Sequence, residues 1–541
     1  MKRRSFLVLV LLSLTLSAYA LSMPAFSTGW ETVVEGIDYQ EFHLTGPKRV
    51  YVARMDRSNQ NLILETSIAQ GKLSGGKETV SEMADRYDQS LSAWAPGPDK
   101  EDTIFPVSDG RRPTNPILKP WGPRNDVVVA INGTFYNPDT GVTSGGLVHS
   151  GWYVKTYGDL GGSSGFAWKQ SRTAFIGECT YHPPEKQILT NLTTGKTIQI
   201  DNINFRDRGE KTILFTPQFD KQSNAGSGNA EVRIQLTRPL GVRPYPDMTV
   251  GIVREVQFKK GPIQIPFDQI VISTYGAGES RKLLDTVRVG DVVGISLEIT
   301  SLESDCENAL NVGWANTYAS LSGSFYFLKD GKIQSFDDNL GATQRHPRTA
   351  ICYNDEYIFF VVVDGRQKNF SIGMTSDELA MFCRDDLGAR WGINQDGGGS
   401  STMWVNGKVM NSPSDGAERE VANGIMMVVV EPMERSDSFQ VRDKVKTLQS
   451  TGVYFGPGTN FALRGTVPED ASGVILPHMN DTNGVLAKGT HWWWVDIGNK
   501  VGWVSEDALV LVERSRPNMA SQRAPGFSFY LSYVDTSFLP W

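Results

Sequence analysis

Residues 357–401 read YIFFVVVDGRQKNFSIGMTSDELAMFCRDDLGARWGINQDGGGSS, and the fold turns on this stretch. Residues 357–363 are almost all apolar, as a strand buried on both faces requires. The run ends in Asp364-Gly365-Arg366. Thr375 and Glu378 form a capping box, with Leu379, Phe382, Cys383 and Leu387 behind it at helical spacing and Gly388 as a stop. A short strand over 390–395 then runs into Asp396-Gly-Gly-Gly-Ser-Ser401. Strand, helix and strand in this order predict a right-handed parallel crossover. Asp364 and Asp396 would then lie at the carboxyl ends of neighbouring strands, where open sheets place their ligand crevice.

Outward from this stretch, the pattern is mostly strand. Apolar runs at 50–52, 62–64, 126–131, 231–236, 270–273 and 292–299 read as strands. A second capping box, Thr79 to Glu82, starts a helix over about 80–88, with Val80, Met83, Ala84 and Tyr87 on one face. Asp330-Gly331 and Asn406-Gly407 sit between strand-like flanks as two-residue hairpin turns. A Pro- and Gly-rich loop covers 95–124. The expected fold class is α+β: a mixed, β-sheet-rich catalytic domain with a few helices at 30–432, carrying a β-rich insertion at about 180–330. A charged linker at 433–446, a small all-β barrel at 447–512 and a tail at 513–541 follow.

The composition is globular, with 40% hydrophobic and 21% charged residues. A net charge of −7 excludes a generally basic nucleic-acid binder, since no phosphate-neutralising excess exists. Lys2, Arg3 and Arg4 precede an apolar run at 6–16 and the small-x-small site Ala18-Tyr19-Ala20, which reads as a secretory signal at 1–20. The apolar run is short for a membrane span, and no later stretch approaches 18 apolar residues, so a soluble chain without a transmembrane span is expected after cleavage. Such a chain would be secreted or periplasmic, associated with the cell envelope. Export permits disulfides, and Cys179, Cys306, Cys352 and Cys383 allow three pairings or buried free thiols. Their irregular spacing argues against zinc, no metal-ligand spacing appears elsewhere, and no cofactor is expected.

Seven segments, in order, resemble the phosphodiester glycosidase family: INGTFYN (131–137), SGGLVHSG (144–151), HPRTAI (346–351), VVVDGR (361–366), SIGMTSDELA (371–380), NQDGGGSSTM (394–403) and NSPSDGAEREV (411–421). Gln395 stands where the family usually carries Leu. The segment at 204–217 resembles an insertion of larger bacterial members. Residues 438–512 resemble a bacterial Src-homology-3-like domain, a cell-wall-targeting module. The resemblance implies an exported hydrolase acting on a sugar–phosphodiester bond, such as an α-N-acetylglucosaminyl phosphodiester. Its partners would be a sugar-phosphate or polysaccharide substrate, with peptidoglycan at the barrel.

The residues suggest how such a site would work. The glycines beside Asp396 let a ligand approach the backbone closely. Gly397, Gly398, Ser400 and Ser401 would line a polar pocket through N–H and hydroxyl groups. Arg348, Arg366 and Arg419 are candidate phosphate clamps, since a guanidinium fork matches phosphate oxygens. Asn132 and Thr134 begin a loop after a buried strand and are candidate substrate contacts, with an Asx-type turn as the alternative. Glycosidic hydrolysis usually employs two carboxyl groups. Asp396 is the expected essential carboxylate, with Asp364 or Glu418 as its partner, and Asp415 is a candidate substrate-binding residue. His149 and His346 flank the motifs and read as structural hydrogen-bonders. The Trp run at 492–494 is either barrel core or a stacking face. Two other readings stay open: a non-catalytic envelope protein binding polysaccharide and peptidoglycan, and a hydrolase of phosphate-free polysaccharide.

Overall fold

The computed structural model describes residues 26–87, 125–158, 164–169, 171–205, 211–226, 228–301, 313–336, 340–430, 435–478 and 482–515. The expected signal at 1–20, the loop at 95–124, Cys306 and the tail beyond 515 lie outside them. Strands dominate, and the longest helices are Val80–Tyr87, Ala277–Thr286 and Ser376–Asp385. Both capping boxes form: Thr79 N donates to Glu82 Oε2 at 2.9 Å, and Glu378 N donates to Thr375 Oγ1 at 3.1 Å. Asp330-Gly331 and Asn406-Gly407 take the left-handed φ values (47° and 74°, 47° and 86°) that two-residue hairpins demand.

A nine-stranded sheet carries the stretch at 357–394. Tyr357–Val363 is paired on one side with Lys48–Asp56 and on the other with Arg348–Tyr353, which in turn pairs with Trp391–Asn394. All these pairings are antiparallel. The expected crossover is thereby corrected. The strands before and after helix Ser376–Asp385 run parallel, but they are not neighbours, because Arg348–Tyr353 lies between them. Both aspartates still emerge at the same edge of the sheet.

Alternation along these strands separates two cores. Val361, Val363, Cys352 and Val50 pack under Leu379, Phe382 and Cys383 of the helix. Ile351, Phe360 and Val362 face the larger core instead, shared with the five-stranded sheet that contains Asn125–Asn132 and Asn423–Val430. The helix side thus buries the free thiols of Cys352 and Cys383, whose sulfurs lie 3.1 Å apart. Cys179 is disulfide-bonded.

The middle section forms its own eight-stranded sheet from Ile188–Asn191 to Val292–Ser296. Thr317–Gly323 and Tyr326–Lys329 return to other sheets, so this inserted sheet ends well before 330. The C-terminal strands, from Lys444–Thr447 to Leu509–Glu513, make a separate sheet with its own core, and the first of them begins inside the expected linker. Trp492 and Trp493 are buried, and their indole N–H groups donate to Ala487 O and Glu506 Oε2. Trp503 packs on Phe267, in the turn before strand Gln269–Thr274 of the inserted sheet, with ring centroids 5.6 Å apart. Trp492 and Trp493 are therefore core, not a stacking face.

Candidate active site

The antiparallel register decides which side chains meet at the sheet edge. Arg348 pairs with Val363 and Ala350 with Asn394, so the bend after Asn394 rises beside the start of the middle strand. Gly398 N donates to Pro347 O at 3.0 Å. A Cβ at Gly397 would meet that same carbonyl at 2.8 Å, and Gly398 has φ +63°, so the bend requires glycine at both positions. A Cβ at Gly399 would come within 2.1 Å of Arg419 Nη2. The triple glycine thus admits Pro347 on one side and a guanidinium on the other.

The bend closes a cavity of about 400 Å³ lined by Asp396, Gly397, Gly398, Gly399, Arg348, Arg366, Arg419, His346, Pro347, Gly341, Asn394, Ser324, Phe325 and Phe135. All three candidate arginines reach it, in different states. Arg419 is held by Asp415 through Nε at 2.9 Å and Nη2 at 2.6 Å, and its Nη1 lies 3.5 Å from Ser400 Oγ. Arg348 is buried and spends Nε and Nη2 on the carbonyls of Met374, Gly341, Ala342 and Gln344, organising the wall of the cavity. Arg366 is exposed, left-handed at φ 61°, and makes no hydrogen bond or ion pair among the described residues. Its guanidinium keeps its donors for an anion, and Arg419 Nη1 has only the long Ser400 contact.

The carboxylates separate clearly. Asp396 lines the cavity half-buried. Burial raises its pKa, opposed by a hydrogen bond from Ser400, the Arg419 charge and the Gly397 N–H. Asp364 does not line the cavity and is 1% exposed. It accepts from Asn411 Nδ2 at 3.0 Å and from Ser412 N at 3.0 Å, so it anchors the 411–421 loop. Burial raises its pKa as well, against those bonds and one from Tyr51. Glu418 turns to the first turn of helix Val80–Tyr87, accepting from Ser81 N at 3.2 Å and Ser81 Oγ at 2.5 Å. Neither expected partner carboxylate is in the cavity wall, nor is Asp415, which is taken up in holding Arg419 rather than in contacting substrate. Asp396 is the one carboxylate there among the described residues.

Several candidate contacts lie one layer deeper. Asn132 is buried, donates to Asp396 O at 2.7 Å, and accepts from Thr349 Oγ1 and Thr402 N. Thr134 is buried against Asn423 and Ser322. Ser400 touches Asp396 from below, and Ser401 presents its carbonyl to Asn411. These side chains hold the bend in place and do not line the cavity. His149 is half-buried outside the cavity, bonded to Thr66 O at 2.9 Å, and desolvation pushes it down to about 4.

His346, Phe135, Phe325, Ser324 and Asn394 also line the cavity and were not among the expected site residues. Phe135 sits inside INGTFYN and His346 opens HPRTAI, so their motifs were visible; Ser324 and Phe325 carry no sequence signal. Among the described residues no group of three or more His, Cys, Asp or Glu could hold a metal, and no helix is long and apolar enough to cross a membrane.

Residues 267–428 match a family model described as phosphodiester glycosidase. The span includes every cavity residue named above except Phe135, so the Asn125–Asn132 strand and its loop complete the site from outside it. No curated protein matches the chain. Among solved structures, a hypothetical protein from Synechocystis shares 17% identity over 76% of this chain, with a TM-score of 0.48; the chain spans 64% of that protein. A Burkholderia pseudomallei protein shares 18% identity over 71% of this chain and 74% of its own, with a TM-score of 0.45. The catalytic domain of zebrafish N-acetylglucosamine-1-phosphodiester α-N-acetylglucosaminidase, auto-inhibited by its pro-peptide, shares 13% identity over 76% of this chain and 85% of its own, with a TM-score of 0.33.

Proposed function

We propose that this protein is an exported glycosidase that hydrolyses the bond between an anomeric carbon and a phosphodiester, in envelope or extracellular glycans, with an α-N-acetylglucosaminyl phosphodiester as the type substrate. The family match over 267–428 supports glycosidase-type hydrolysis. The observation that carries the reading is one carboxylate and three guanidinium groups converging on a single cavity beside a glycine bend.

The chemistry follows from the leaving group. When the sugar carbon–oxygen bond breaks, its electron pair stays on the bridging oxygen and the departing phosphomonoester gains a negative charge. Arg366 and Arg419 then bind the charge developing in the transition state more strongly than the ground state's, which is the condition for rate acceleration. A phosphate leaves readily, so a second carboxyl group for protonation is dispensable. Water bonds to the anomeric carbon and passes its proton to the Asp396 carboxylate. Phe135 and Phe325 offer apolar faces to the sugar ring.

The test is hydrolysis of a synthetic α-N-acetylglucosaminyl phosphodiester by the wild type and by Asp396→Asn. We expect turnover by the wild type and a loss of about 10²–10⁴-fold in the variant, the range for a positioned acid or base. Unchanged turnover in the variant removes Asp396 from the mechanism, and a wild type inert toward the diester removes the function.

A further inference from the structure

We propose that His346 serves this site as a neutral hydrogen-bond donor, presenting its Nε2–H to the bridging oxygen that leaves the sugar with the phosphate. The inference rests on the function proposed above and assigns a catalytic contact to a residue whose sequence context suggested only a structural role.

The geometry comes first. His346 lines the cavity, and its main chain is locked to Met374 in both directions, N to O at 3.2 Å and O from N at 3.1 Å. Beneath it Gly373 is left-handed at φ +89°, where a Cβ would strike His346 O at 2.5 Å. The backbone that carries the imidazole is therefore fixed before any ligand arrives. Nδ1 of the ring is buried with no hydrogen-bond partner among the described residues, whereas Nε2 is not sealed in this way. A proton on Nδ1 would be a buried N–H with nothing to bond, at a cost that native structures rarely tolerate. The ring's single proton therefore belongs on Nε2, and the imidazolium, which needs both, is disfavoured.

The charges around the ring agree. Burial lowers the His346 pKa, and the neighbouring Arg348 and Arg366 charges lower it further. Asp396 and Arg419 share the same cavity, and Arg345, next in the chain, is neutralised by Glu378 at 2.7 Å, with Lys48 on the same carboxylate at 3.1 Å. A neutral imidazole is thus held among cations, its pKa below that of a free imidazole, ready to donate to an anion. In the step proposed above, the bridging oxygen takes the electron pair of the broken bond and Nε2–H hydrogen-bonds to it. The proton stays on His346, and the water's proton still goes to Asp396.

The experiment uses the full chain, His346→Phe and His346→Gln, and a series of α-N-acetylglucosaminyl phosphodiesters whose second ester group is varied to change leaving ability. We expect His346→Phe to lose about 10²–10³-fold in kcat, the effect of removing one oxyanion-type donor, with KM little changed. The loss should be largest for the poorest leaving group. His346→Gln, whose amide can donate, should recover part of the rate. Nitrogen NMR of the wild-type ring should show a neutral Nε2–H form at pH 7 and above. If His346→Phe keeps kcat within twofold while Asp396→Asn is inactive, the glycosidase reading stands and the His346 assignment falls. The assignment also falls if both His346 variants lose equal activity and melt at lower temperature, if the ring titrates near 6.5, or if its proton sits on Nδ1. A wild type that turns over no diester overturns both.

Discussion

Replacing Gly399 with Ala separates the site's function from its stability. A Cβ at this position would lie 2.1 Å from Arg419 Nη2 and 2.2 Å from Asp415 Oδ2, against an ordinary contact of at least 3.4 Å. The guanidinium must therefore retreat by about 1.3 Å, the difference between 3.4 and 2.1. Both atoms end flexible side chains that are 41% exposed, so they can move cheaply. An exposed pair of this kind contributes about 0.2–1 kcal/mol, and Gly→Ala at a compatible backbone returns about 0.4–1 kcal/mol by narrowing the unfolded ensemble. The net change in stability is near zero. Misplacing a charge-stabilising group by about 1 Å, in contrast, costs about 10²-fold in rate, or about 2.7 kcal/mol. We expect Gly399→Ala to lose about 10²-fold in kcat/KM on the phosphodiester with a melting shift of no more than about 2–4 °C. Gly397→Ala is the contrast. Its Cβ would strike the fixed carbonyl of Pro347 at 2.8 Å, so it should lose stability and activity together. Gly399→Ala with kcat/KM within threefold of wild type, or with a melting loss as large as that of Gly397→Ala, would refute the placement of Arg419.

Arg366→Ala removes a guanidinium that holds nothing among the described residues, so melting should be unchanged while affinity for N-acetylglucosamine 1-phosphate falls by about 10–150-fold, the worth of one charged hydrogen bond. Calorimetric titration measures it, and undiminished affinity counts against the phosphate assignment. Asp364→Asn turns one acceptor of a buried, multiply bonded carboxylate into a donor, which should cost about 2–3 kcal/mol of stability. Thermal melting reads that loss, and kcat/KM should fall less than in Asp396→Asn; equal loss in the two would make Asp364 a direct participant. Asp396 has its pKa raised in the folded state, so the folded protein holds this proton more tightly than the unfolded chain does. Its contribution to stability is therefore greatest below the unfolded pKa and is lost as pH rises through the folded value. The melting advantage of Asp396→Asn over wild type should accordingly grow from pH 3.5 toward neutrality, and a shrinking advantage would reverse the assigned shift.

Much of the candidate site was legible in the sequence. The glycine bend, Asp396 and the three arginines lie in motifs whose local chemistry is self-contained, and all reach one cavity. The partners of Asp396 were not legible. Asp364 and Glu418 sit in equally conspicuous motifs, yet one anchors the 411–421 loop and the other caps a helix more than 300 residues earlier in the chain. An acid's identity says nothing of which donors reach it. The crossover was half right for a similar reason: local pattern specifies strand, helix and strand, but only pairing specifies that Arg348–Tyr353 inserts between them.

By itself the amino-acid order determined what depends on near neighbours: both capping boxes, the two hairpin turns, the buried run at 357–363 and the glycines that let the bend form. Tertiary structure alone decided what depends on distant segments meeting. It brought Phe135 and Phe325 to the same wall, buried Trp492 and Trp493 as core, and left Arg366 without a partner among the described residues while Arg348 was consumed by carbonyls. Burial and hydrogen-bond partnership are set by the packing of segments far apart in the chain, and those properties assign each charged group to scaffold or to cavity.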